Sequence, residues 1–369
     1  MLEGGRRRLP WRLFLQMSVT DQVIECLLEA ARWAASADNM QPWRFRWDGA
    51  TLRLLFIDDG KEGAFGIDSP ATLLAFGGVI ENVTRMAEAT GCQLYEAVIF
   101  PAGDDKNCVF RCRIDAAAPG APRADWRTHP LFSRHTNRLP YADRALPDEL
   151  VGELAALAQG EARCRLLVDA PSVQRWAGLV REGSSLRFRN RLAHIALDAS
   201  LRMTEAEAAR GDGLDVATFF LPPGAKSMLS YTRSWPRMAM LNRIGLYKLF
   251  ASIEADLVRK GPGLVLVTGA AGRQGALDAG QLLVRAWTRL NQAGLAVQPY
   301  YVVPDQIFRL KDGTVPEEAR AEALALERAS QAALPAGATL YMVLRVGYPK
   351  KPAVRSRRLT LSEVAAADA

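Results

Sequence analysis

Apolar residues recur at Val23, Ile24, Leu27, Leu28 and Ala31 with helical spacing, and Ser18 to Asp21 ahead of them makes a capping-box-like start. The pattern predicts a helix that stops at a run of turn-forming residues. Ser36, Asp38 and Asn39 cap or turn the chain, and Pro42 pushes the residue before it out of the helical region. Trp43, Phe45 and Trp47 then alternate with Arg44 and Arg46, the period of a strand. Further along, Gly77 to Gly91 and Gly280 to Gly294 each enclose an amphipathic helix predicted to end on a glycine C-cap and to lead into a β-rich segment. Leu340 to Gly347 reads as a hydrophobic strand, followed by the turn Gly347-Tyr348-Pro349.

These patterns repeat in register. The two glycine pairs have the same separation, Val79, Ile80 and Val83 match Leu282, Leu283 and Ala286, and Pro101 matches Pro304. Upstream, Asp148, Leu150, Val151 and Leu154 echo Asp21, Val23, Ile24 and Leu27. Two helix starts and two helix–strand units in the same order imply a duplicated domain. A boundary falls near Ala116 to Arg123, where Ala, Pro and Gly cluster. The expected organisation is an N-terminal extension over 1–16, with Met17 as an alternative start, a first repeat over 17–120 and a second over 121–369.

Composition narrows the class. The chain has 369 residues, 49% of them hydrophobic, and a mean hydropathy near zero, which fits a soluble protein with a sizeable core. Five cysteines without a C-x-x-C pair fit reduced thiols and a cytoplasmic location. Three histidines, none in a ligand-like pair, argue against a zinc site. The net charge of +7 suits an anionic ligand, but no basic stripe with interleaved aromatics suggests nucleic acid. The apolar run after Arg6-Arg7-Arg8 is too short for a signal peptide, and nothing approaches a membrane span, so no membrane partner is expected.

The run Ser36-x-x-Asn39-x-Gln41-Pro42-Trp43-x-Phe45 resembles the flavin-contacting loop of the nitroreductase family of FMN enzymes. Those enzymes are homodimers of an α+β fold, a mixed, mainly antiparallel sheet flanked by helices, and each FMN lies at the subunit interface. The resemblance implies that Ala35, Ser36, Asn39 and Gln41 reach a flavin held mainly by the other half. Ser133-Arg134-His135-Thr136-Asn137-Arg138 resembles the family's phosphate element, which implies that Arg134, His135, Thr136 and Arg138 hold the FMN phosphate and ribityl side. Planar guanidinium groups and a hydroxyl suit a phosphate dianion. The basic tail resembles the family's C-terminal segment and implies the same for Arg355 and Arg357. Gln298 and Pro299, after Gly294, match the segment along the pyrimidine edge of the ring. The first copy lacks a phosphate element and the second lacks the Ser/Asn loop, so one composite site per chain is expected, as in the fused, Acg-type members that the chain resembles. Asn39 is expected to serve the flavin alone, so its loss leaves the fold intact.

An inserted helical segment at about 186–250 is read equally as a lid over the substrate side or as a brace for the interface. Two functions follow from the resemblance. One is hydride transfer between the flavin and a small electron-poor or conjugated substrate, with NAD(P)H as donor, or oxidation of a biosynthetic intermediate by oxygen. The other is flavin binding or sequestration under a closed lid. A monomer and a homodimer of the pseudo-dimer are both open.

Overall fold

The computed structural model describes residues 19–58, 60–103, 106–114 and 125–365. The expectations for 1–16, Met17, Ser18 and the Ala116–Arg123 boundary lie outside the described residues. The first part runs α1 (Val19–Arg32), β1 (Trp43–Trp47), β2 (Thr51–Phe56), α2 (Pro70–Thr90), β3 (Leu94–Ile99) and β4 (Cys108–Ile114). Its antiparallel sheet has the order β1-β2-β4-β3. After α3 (Glu149–Ala156) and the two-residue β5 (Ala158–Gln159) comes β6 (Ala162–Leu167). A long helical excursion follows. It holds α4 (Ala170–Arg189), α5 (Arg191–Ser200), the two-residue pair β7 (Leu201–Arg202) and β8 (Leu214–Asp215) around α6 (Glu205–Ala208), then α7 (Ala225–Thr232), α8 (Trp235–Arg243) and α9 (Leu246–Arg259). The chain closes with β9 (Gly263–Gly269), α10 (Arg273–Gln292), β10 (Ala296–Tyr300), α11 (Val302–Lys311), α12 (Arg320–Gln331), β11 (Thr339–Gly347) and α13 (Leu361–Val364). The second sheet is antiparallel throughout, in the order β10-β11-β9-β6-β5.

The protein is therefore α+β, with two antiparallel sheets. Omitting β5, the second sheet joins its strands in the same sequence-relative order as the first. The helix between the second and third strands is α2 in one and α10 in the other. Gly91 ends α2 in the left-handed region at φ 70°, and Gly294 follows α10 at φ 74°, as the glycine spacing predicts. The prolines differ. Pro101 follows β3 outside any helix, whereas Pro304 sits in the first turn of α11, where its missing N–H costs little. In α3, Leu150 and Leu154 are buried but Val151 is exposed.

α2 and α10 cross at two glycines. A Cβ on Gly77 would lie 2.1 Å from the Leu277 carbonyl oxygen, and one on Gly280 would lie 2.2 Å from that of Leu74. The contact is reciprocal, which is the property of a two-fold interface. One core joins α1, α2 and α10 to the inner faces of both sheets, through Leu27, Trp43, Phe76, Val79, Leu282 and Trp287. A second lies between the other face of the second sheet and α4, α9, α11 and α12. With both faces covered, β9 and β11 are nearly continuous apolar runs.

The helical excursion is longer than the sequence suggested. A boundary at 186 falls inside α4 and one at 250 inside α9, and these two helices pack along each other. Among the described residues, no helix is long and apolar enough to cross a membrane.

Candidate functional site

The loop after α1 is strained. Asp38, Asn39 and Gln41 adopt φ of 49°, 57° and 51°, a left-handed geometry that non-glycine residues enter only where the surroundings hold them. What holds them is the rest of the chain. Asn39 Nδ2 donates to the carbonyls of Gly213 at 2.9 Å and Arg357 at 3.1 Å, and Oδ1 accepts from the Arg358 guanidinium. Gln41 Nε2 donates to Gly211 O at 2.9 Å, and its Oε1 accepts from the Leu359 amide at 3.0 Å. Ser36 Oγ accepts from the Gln41 amide at 3.0 Å.

Asn39 and Gln41 thus hold the fold together, which the expectation that the loss of Asn39 leaves the fold intact did not foresee. Both are buried, at 7% and 1% exposure, and their amides fasten the segments 211–213 and 357–359 to the loop. Sequence reasoning missed this because the partners are backbone carbonyls far along the chain. Asn39→Ala should consequently destabilise the flavin-free protein by about 3 kcal/mol, since it strips the Arg358 guanidinium of its side-chain acceptor and the buried Gly213 carbonyl of its donor. Urea denaturation of the flavin-free variant measures this, and a loss under about 0.5 kcal/mol would refute the stapling role.

The segment 134–138 runs beside the free edge of β10. Thr136 bridges to Val297, and the Asn137 amide donates to Val297 O at 2.9 Å. Trp287 Nε1 donates to His135 O at 3.2 Å, and Arg345, itself buried against Tyr141, donates to Leu139 O at 2.6 Å. His135 contributes its backbone there, its ring folding back on Ser133 O at 2.8 Å. In an extended run alternate side chains share a face, so Arg134, Thr136 and Arg138 project together, with the two arginines about 13 Å apart along the strand.

At the Arg134 end, four arginines gather around Trp33. The guanidinium carbons of Arg355, Arg32 and Arg358 lie 5.1, 5.6 and 5.7 Å from the Trp33 ring centre, and that of Arg134 lies 4.8 Å from the Trp287 ring. Arg134 is 3% exposed and donates to the Trp33 carbonyl. Arg355 donates to the carbonyls of Phe132 and Arg134. Only Arg32 has a carboxylate partner, Glu29. Among the described residues no acid pairs with Arg134, Arg355 or Arg358, and the Nε atoms of Arg134 and Arg358 are buried without a partner. Burial, and then the charge of Arg355, lowers Arg134 to about 10. Burial drives Arg358 well down, and Arg134, Arg355 and Arg32 add to it. Such a cluster is costly unless an anion neutralises it.

Arg357 does not belong to the cluster. It turns outward and pairs with Glu205, while its neighbour Arg358 takes the inward position. The sequence named Arg355 and Arg357 of this run, whereas the structure sets Arg355 and Arg358 beside Trp33, a ring the sequence did not single out.

Arg138 serves the other end of the segment. Its Nη1 donates to Thr218 Oγ1 at 3.0 Å, and its guanidinium lies over Phe219 at 5.2 Å. Burial lowers it, with Asp38 acting the other way. Burial pushes the Asp38 carboxyl up against the pull of Arg187 and Arg138. Gln298 and Tyr300 share one face of β10, and the Gln298 Oε1 and the Tyr300 hydroxyl are both buried without a partner. Pro299 is half-buried between them, and Ala35 packs on the main core. A cleft of about 250 Å³ is lined by Ser36, Asp38, Met40 and Gln41 of the loop together with Phe65, Ala196 and Leu359. A cavity of about 350 Å³ beside Arg165, Arg175 and Trp176 includes none of the site residues named above.

Among known proteins, the sequence model of the Nitroreductase family matches residues 6–47, which contain the Ser36–Phe45 run. No curated protein matches the chain. Similar solved structures include the FMN-dependent nitroreductase NfnB from Mycobacterium smegmatis in complex with NADPH (14% identity, covering 66% of this chain and 99% of that one, TM-score 0.37). The FMN- and NADPH-dependent nitroreductase NfnB from Sphigopyxis sp. strain HMH is similar at 16% identity, covering 66% and 98% with a TM-score of 0.34. A BluB-like flavoprotein from Clostridium difficile 630 has 9% identity, 66% and 98% coverage and a TM-score of 0.37. At such identities and scores these likenesses carry no inference about the present chain.

Proposed function

We propose that this chain is a nitroreductase-type, FMN-dependent oxidoreductase made of two fused and diverged copies of one fold, with a single flavin site between them. The observation that carries the reading is that three of the four arginines around Trp33, namely Arg134, Arg355 and Arg358, have no acid partner among the described residues. The Nε atoms of Arg134 and Arg358 are buried there without a partner, and Arg355 stands exposed beside them where a phosphate dianion would sit, with Thr136 adding a hydroxyl beyond. The donor set fits FMN along its length. Arg138, Gln298 and Tyr300, two of them with orphaned polar atoms, stand at the end where the ring would lie. Trp33 and Ser36 come from the first copy and the arginines from the second, so the site is composite. The duplication itself is supported by the matching strand order and by the reciprocal Gly77 and Gly280 contacts.

The flavin, when bound, would supply the hydride chemistry, with NAD(P)H as donor and a small electron-poor or conjugated compound as acceptor. The chain's own residues bind the phosphate, orient the ring and exclude water. The cleft beside Met40 and Phe65 is the proposed substrate approach.

A second reading, flavin sequestration, is favoured by the segment 211–218, which closes on the loop through Gly213 and on Arg138 through Thr218. One experiment separates the two. Acid release of flavin from the purified protein should give one FMN per chain, and anaerobic NAD(P)H should bleach it within seconds. A ratio near two would refute the single-site reading. A ratio of one with no bleaching would leave sequestration in place of turnover.

A further inference from the structure

From Val216 to Ile253 the chain carries no acidic residue and five basic ones, Lys226, Arg233, Arg237, Arg243 and Lys248. This stretch builds α7, α8 and the first half of α9, which contact one another in succession. It also concentrates exposed apolar surface. Among the described residues, seven of the thirteen large hydrophobic side chains that are exposed lie here: Phe220, Met228, Tyr231, Met240, Ile244, Leu249 and Ile253. Ile244 is 82% exposed and Leu249 57%.

The exposure follows the helices. In α8 the buried Met238 turns inward, whereas Arg237, Met240 and Arg243 fall about one turn apart on the outer face, and Ile244, at the helix C-cap, is exposed beside them. In α9, Ala251, Ala255 and Val258 pack inward, and Lys248, Leu249, Ser252 and Ile253 point outward. Arg237 lies 4.9 Å from the Tyr231 ring centre, which links the outer faces of α7 and α8. Lys226, Arg237, Arg243 and Lys248 form no ion pair among the described residues, and only Arg233 has one, with Asp198. Exposed apolar side chains concentrated in this way mark an interaction site.

We infer that the outer face of α7–α9 docks on an anionic lipid membrane. Helices lying in a membrane interface combine bulky apolar side chains with flanking Lys and Arg and need no spanning length. The absence of a spanning segment, from which the sequence suggested no membrane partner, therefore does not bear on this face. A second copy of the chain is a poor occupant, because a two-fold contact would set the same unpaired cations against each other. Nucleic acid would use the cations but leave Ile244, Leu249 and Ile253 without a partner. The inference is independent of the cofactor reading, since none of these residues belongs to the flavin site.

The test is co-sedimentation of the full chain with vesicles of phosphatidylcholine, alone or mixed with phosphatidylglycerol. Binding is expected only to the mixed vesicles and should weaken with added salt. Ile244→Glu should reduce it about ten- to a hundred-fold, and Arg243→Gln about five-fold. Both positions are exposed, so the melting temperatures should match that of the wild type, and Leu249→Glu provides a second apolar variant should Ile244→Glu misfold. No binding to the mixed vesicles at low salt, or binding indifferent to Ile244→Glu and Leu249→Glu, overturns the inference. So does a concentration-dependent dimer in sedimentation velocity that Ile244→Glu abolishes. Tighter binding to duplex DNA than to the vesicles, lost with Arg243→Gln but not with Ile244→Glu, also overturns it.

Discussion

Gly280→Ala is expected to destabilise the protein by about 3 kcal/mol or more, because the new methyl has nowhere to go. Its carbon would lie 2.2 Å from the Leu74 carbonyl oxygen and 2.9 Å from the Leu74 Cα and carbonyl carbon, all backbone atoms of a buried helix. No rotamer relieves such a contact, so α2 and α10 would have to move apart. That would open the core between the sheets, where Phe76, Val79 and Leu282 are almost fully buried. Gly77→Ala should cost a similar amount, since its methyl would meet Leu277 O at 2.1 Å. Gly91→Ala is the control. Its methyl meets nothing within 4 Å, and its positive φ of 70° alone should cost about 1 kcal/mol. Urea midpoints of the three variants decide the matter. If Gly280→Ala costs no more than Gly91→Ala, the helices are not held at backbone contact, and the reciprocal interface loses its main support.

How far the chain could be read beforehand differs from element to element. α1, α2, α10 and β11 were legible because their apolar periodicity is strong and Gly91 and Gly294 mark the helix ends. The pairing of Gly77 with Gly280 was visible only as an interval in the sequence. Its physical cause, two backbones in contact, needs three dimensions. The helical excursion was placed too narrowly, because α4 and α9 are amphipathic against each other and carry no break at 186 or 250. At the site, the residue types were legible and their partners were not. Asn39 looked like a ligand group because a loop amide normally faces water or a ligand. Here Gly211, Gly213 and Leu359, all distant in sequence, consume its hydrogen bonds and those of Gln41. The choice between Arg357 and Arg358 turned on the phase of an irregular extended segment, which no periodic signal reports.

That choice gives the sharpest test of the cofactor reading. Arg358→Ala and Arg134→Ala should each raise the FMN dissociation constant about a hundred-fold, whereas Arg357→Ala should change it less than about three-fold. Each inward guanidinium offers an unpaired Nε and would make one or two charge-assisted hydrogen bonds to a phosphate, each contributing about 1.5–3 kcal/mol. Arg357 already faces solvent with Glu205. Riboflavin, which lacks the phosphate, should bind all three variants almost as well as it binds the wild type. The stability of the flavin-free protein gives an independent check. Arg134 is desolvated and flanked by like charge, so removing it deletes an uncompensated cation. The loss of its stacking on Trp287 and of its bond to the Trp33 carbonyl works against that gain. The net change should stay within about 1 kcal/mol, well below the cost of stripping partners from a buried charge. Isothermal titration with FMN and riboflavin, beside urea denaturation without ligand, measures all of this. If Arg357→Ala weakens FMN as much as Arg358→Ala, or if riboflavin and FMN weaken together, the guanidinium groups around Trp33 are scaffold rather than a phosphate cradle.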